Sequence, residues 1–130
     1  MNLISVRVAS LSLSSILGLT IIFHVLVLIG TVPYEVVWGG RLTTRREMFV
    51  FETVSILLNV MMLTAVLNHQ RLIFPGYVKI GRVVMWIMFV LFTANTIGNL
   101  FSLNELESII FTPITLVLAL QTLRLALHRA

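Results

Sequence analysis

The chain has 130 residues, 58% of them hydrophobic and 11% charged, with a net charge of +4 and no cysteine. A soluble domain carries roughly 45–50% apolar and about 25% charged residues, and so short a chain cannot absorb such a charge deficit by burial. These values exclude an ordinary soluble domain, disulfides and thiolate metal sites, and they point to a bilayer as the solvent.

Crossing the hydrocarbon takes roughly 20 mostly apolar residues. Four windows qualify, at about 8–32, 48–67, 79–101 and 106–127. The expected fold is therefore an all-α integral membrane protein, a single four-transmembrane-helix bundle with one longer outer loop over 33–47. Arg7 precedes the first window, but its apolar stretch exceeds a signal-peptide core and no small-x-small cleavage site follows. It is expected to be a retained membrane helix. Pro33, which has no backbone N–H to donate, is expected to close it.

The second window is preceded by Thr44 with Glu47 three residues on, and the fourth by Asn104 with Glu107, both at capping-box spacing. Pro75-Gly76 predicts a turn between the second and third helices. Four spans put both termini on one side, with Arg7, Arg71, Lys79, Arg82, Arg124 and Arg129. Arg41, Arg45 and Arg46 fall on the other. That distribution predicts cytoplasmic termini, in a plasma (inner) membrane. The basic residues flank apolar segments instead of sharing one polar face, so nucleic acid is not an expected partner.

Steps of three and four define one small or polar stripe on each helix. These are Ser10, Ser14, Leu17, Ile21, His24 and Leu28; Met48, Glu52, Ser55, Asn59 and Met62; Gly81, Met85, Met88, Phe92, Asn95, Asn99 and Ser102; and Thr112, Thr115, Ala119, Thr122 and Ala126. Helices in lipid associate through small residues and hydrogen bonds, which accounts for most of these positions. The ridge Ser10-x-x-x-Ser14-x-x-x-Gly18 also offers a surface for a homo-oligomer.

Glu52 asks for more. It lies inside an apolar run, where a charged group costs roughly 2.5–3.5 kcal/mol on insertion scales, so it must find donors, carry a proton or meet water. At a rise of about 1.5 Å per residue, Glu52, His24 and Asn95 all lie roughly 6–8 Å outward from the middle of their helices. Thr112 falls in the same half, and Asn99 nearer the surface. The expected ligand-binding set is Glu52, His24, Asn95, Asn59, Asn99 and Thr112, with Glu52 as its ionisable centre and His24 as its first partner.

The first loop carries Tyr34 and Trp38, suited to a membrane interface by an apolar ring with a polar tip. Gly39-Gly40 permits a sharp reversal. With Arg41, these aromatics form an expected cap over the pocket mouth.

No His-Glu-x-x-His, Gly-x-Ser-x-Gly or phosphate loop is present, so neither metal nor cofactor is predicted. The leading expectation is a non-enzymatic protein that binds or conducts a small solute or ion. Its expected partners are the lipid bilayer, a second copy, and a small-molecule, lipid or ion ligand. The alternatives are an isomerase-like membrane enzyme acting on a lipid-like substrate, or an accessory subunit of a larger membrane complex.

Overall fold

A computed structural model describes residues 4–128, so Arg129, counted above among the basic residues, lies outside the described residues. The described residues form four long helices: α1 (Val6–Leu28), α2 (Arg45–His69), α3 (Val78–Leu100) and α4 (Glu105–Leu127). Short 3₁₀ turns at Tyr34–Val36, Trp38–Gly40 and Pro75–Tyr77 lie in the connections. All four helices are long and apolar enough to cross a membrane, which suggests a multi-pass membrane protein. Twenty-three residues of α1 span about 34 Å, against a hydrocarbon core of about 30 Å.

Local chemistry sets the helix ends. Ser5, Thr44 and Asn104 accept from the backbone N–H groups of Val8, Glu47 and Glu107, satisfying donors that would otherwise be orphaned at each start. The reciprocal half of the predicted capping boxes is altered. The Glu47 carboxylate accepts from the backbone N–H of Thr43, at 2.9 Å. The Glu107 carboxylate accepts from the Ser102 hydroxyl, at 2.7 Å.

The first helix stops at Leu28, short of the predicted residue 32. Gly30, at φ +86°, turns the chain before Pro33 is reached. The N–H of Thr31 bonds to the carbonyl of Leu26 and that of Gly30 to Val27, a Schellman closure. The same pattern ends α2, where Arg71 holds the left-handed position at φ +60° and Leu72 bonds back to Leu67. α4 continues through Pro113, whose missing N–H leaves the Ile109 carbonyl without its helical donor.

The helices form a ring in which α1 packs on α2 and α4, and α3 packs on α2 and α4. Long-range bonds fix the antiparallel order. At one end Asn104 Nδ2 donates to the Glu35 carbonyl, tying the first loop to the α3–α4 corner. At the other end Arg82 donates to the Ala126 carbonyl and Arg124 to the Ile4 carbonyl. These are called below the loop end and the terminal end. The main core joins Leu13, Leu17, Val66, Met85, Met88 and Leu125, while Val27, Val37, Leu42 and Met48 form a second cluster at the loop end.

Polar residues sit inside and large apolar ones outside. Ser10, Glu52, Ser55, Asn59, Gln121 and Thr122 are buried, whereas Val50, Leu57, Met61, Val83, Val90 and Ile109 are exposed. The buried Ser10 uses the start of the Ser10–Gly18 ridge within the bundle, Ser14 is half-buried, and a Cβ at Gly18 would meet open space.

Candidate functional site

The inner stripe of α2 matches its predicted positions: Met48, Glu52, Ser55, Asn59 and Met62 are all buried. Glu52 is 0% exposed, so its carboxylate depends entirely on protein donors. Two of them meet it, one on each oxygen. His24 Nδ1, from α1, lies 2.5 Å from Oε2. Trp38 Nε1, from the first loop, donates to Oε1 at 3.2 Å. With one proton between carboxylate and imidazole, the pair is net neutral whichever atom holds it, which lowers the cost of its burial.

The loop is built to deliver that indole. Val37 and Leu42 bury their side chains on either side of it, anchoring the loop to Val27 and Met48. Trp38 itself has φ +55°, in the left-handed region that costs a residue with a Cβ about 1–2 kcal/mol. Gly40 follows at φ +70°, and a Cβ added there would stand in van der Waals contact with Leu103 and Asn104 of the α3–α4 corner. A strained residue persists only where its surroundings over-determine it. Here the anchors are the flanking apolar side chains, the Asn104–Glu35 bond, and the indole bond to Glu52.

Aromatic rings surround the pair. Trp38 packs on Phe51 with centroids 4.9 Å apart, and Phe23 meets both His24 and Phe111 edge-on. Three elements of the first half of the chain thus supply the polar atoms, and α4 reaches the site through Phe111. His24 keeps 15% of its side chain exposed and is the accessible member of the pair. The arrangement can exchange a proton, or accept a donor group in place of the indole.

Other expected members lie apart from this centre. Asn59 is buried, but its amide donates to the Ser55 carbonyl of its own helix at 2.8 Å. Asn99 donates to the Thr115 hydroxyl, which Thr96 also contacts, forming a seam between α3 and α4. The Thr112 hydroxyl is buried and has no hydrogen-bond partner among the described residues. Asn95 is exposed, so the expectation that it joins Glu52 is corrected. After Phe92 the inward face advances by four residues to Thr96, not by three to Asn95, because a straight helix drifts against a 3.5-residue repeat. Of the expected cap, Trp38 reaches the site, Tyr34 packs against the loop-end core, and Arg41 is exposed.

Sequence reasoning missed the aromatic lining by Phe23, Phe51 and Phe111, since phenylalanine is unremarkable in an apolar helix. It also missed Asn68. That side chain donates to the carbonyls of Ile73 and Phe74, at 3.3 and 2.7 Å, and so staples the α2–α3 connection. Beside it an apolar groove of about 410 Å³ opens between α2 and α3 toward the terminal end, lined by residues including Thr64, Phe74, Tyr77 and Gly81. Among the described residues, no group of three or more His, Asp or Glu is placed to hold a metal ion. No protein-family model, curated protein or solved structure matches this chain.

Proposed function

We propose that this is an integral membrane protein that binds or conducts a small solute or ion at the Glu52–His24–Trp38 centre, beneath its first loop. The observation that carries this reading is the completely buried Glu52 carboxylate, held jointly by a helix and by a strained loop residue. A polar pair that only pins helix register needs no loop. Closing it with Trp38 puts the buried carboxylate of the α1–α2 hairpin directly under the first loop.

The direct test is flux into sealed vesicles containing the purified protein, followed with a pH-sensitive dye and with a panel of monovalent cations and anions. Wild type is expected to move at least one of them. Glu52→Gln should abolish that flux, because it removes the ionisable group while keeping its shape. Trp38→Phe should raise it, because the indole donor that competes for the carboxylate is gone. Equal flux in empty vesicles and in all three proteins would dismiss this function.

In the same reading the loop end faces outward and both termini are cytoplasmic, as the excess of Lys and Arg near the termini favours. Reporter fusions to either terminus should be active only when the reporter works inside the cell. Activity of an outside-only reporter would reverse the orientation.

A further inference from the structure

We propose that the face of α3 carrying Asn95 docks a second copy of this chain. This goes beyond the function proposed above and does not depend on Glu52. Asn95 lies about 9 Å from the middle of α3, well inside a hydrocarbon half-thickness of about 15 Å. Its side chain is exposed and makes no hydrogen bond among the described residues. Two donors and an acceptor are therefore turned toward lipid, which offers no partner for them.

Several other exposed hydroxyls on the helices need nothing from outside. The hydroxyls of Ser15, Thr64 and Thr93 all donate to carbonyls of their own helices. Asn95 is too short to reach the headgroups as a lysine would. A partner must come to it in the membrane plane.

The chemistry of the carboxamide selects a second copy. Two chains of the same topology are related by a two-fold axis along the membrane normal, which lays α3 beside α3 in parallel. Asn95 then faces Asn95, and each N–H₂ can donate to the other carbonyl. The group is its own complement, as a buried Asn is in a coiled-coil seam. Leu91 and Gly98 share the face at helical spacing and are exposed. Gly98 has open space where a Cβ would stand, so the backbones can approach closely there. No charged residue follows Arg82 in α3, so nothing on this stretch repels its own copy.

The test uses the full chain in lipid nanodiscs and mild detergent, with the oligomeric mass measured across a wide concentration range. Wild type should be a dimer. Asn95→Leu should be a monomer of unchanged helix content, and Asn95→Gln should remain a dimer. The sequence has no cysteine, so Leu91→Cys supplies a sole thiol that should form a disulfide-linked dimer on oxidation. Leu19→Cys, on the exposed face of α1, should not. A monomeric wild type, as expected if another membrane protein covers Asn95, would overturn the proposal. So would an Asn95→Leu dimer, or equal cross-linking from Leu19→Cys.

Discussion

Glu52→Leu is expected to lose about 3 kcal/mol of stability, the scale for breaking a buried charged or hydrogen-bonded pair by removing one partner. Leucine fills a similar volume, so the loss comes from two stranded groups and not from a cavity. His24 Nδ1 and Trp38 Nε1 would both be left without their acceptor. Glu52→Gln should lose far less, since its amide oxygen can still accept from the indole while its amide nitrogen donates to His24 Nδ1 in the tautomer protonated at Nε2. Unfolding by increasing SDS in mixed micelles, followed by helical circular dichroism, measures the difference. A Leu variant as stable as wild type would show that the carboxylate is not bonded as described. A Gln variant as weak as Leu would instead identify the link to His24 as a true ion pair.

The second large effect is expected far from this centre, at Gly81. A Cβ there would stand 2.3 Å from Asn68 Oδ1 and 3.3 Å from the Ala65 carbonyl. The amide cannot simply move aside, because its nitrogen holds the carbonyls of Ile73 and Phe74. Gly81→Ala is therefore expected to cost about 2 kcal/mol through overpacking and the loss of those bonds. Without Asn68 the sign should change. In an Asn68→Ala background most of the clash is gone, and the helix propensity of Ala over Gly, about 1 kcal/mol, is free to act. A double-mutant cycle in the same unfolding assay reads the coupling. Equal costs in both backgrounds would mean that Gly81 and Asn68 are energetically independent.

How much of this was legible in advance depended on how local each cause is. The four helices were, because an apolar run of about 20 residues has few other fates. The Thr44 and Asn104 caps were too, because a side chain three residues from its target leaves a pattern in sequence. The C-termini were read less well. Pro33 drew attention that belonged to Gly30, and Arg71 at a left-handed position carries no signal, since its Cβ disfavours the conformation it adopts.

The site divides along the same line. His24 could be matched with Glu52 from depth, because beyond Arg7 it is the sole ionisable side chain of α1. Asn95 could not be placed, since one step of three or four residues decides between the inside of the bundle and its outer face. The Asn68–Gly81 contact depends on where two helices cross, which no window of sequence encodes.

The positions of these bonds along the chain bear on how the protein is made. His24 precedes Glu52 by 28 residues and Trp38 precedes it by 14, so both partners leave the ribosome before the acid they satisfy. The contacts that close the ring come much later: Ser12 waits 109 residues for Gln121, and the Ile4 carbonyl 120 for Arg124. Domains synthesised from the N-terminus tend to acquire structure in that order. The partners of the Glu52 carboxyl are therefore made before the second hairpin, and the Asn104–Glu35 bond adds its tie to the loop only once the α3–α4 corner has emerged. Synthesis thus supplies the buried acid of α2 after both of its donors, and α3 and α4 close the ring around partners that already exist.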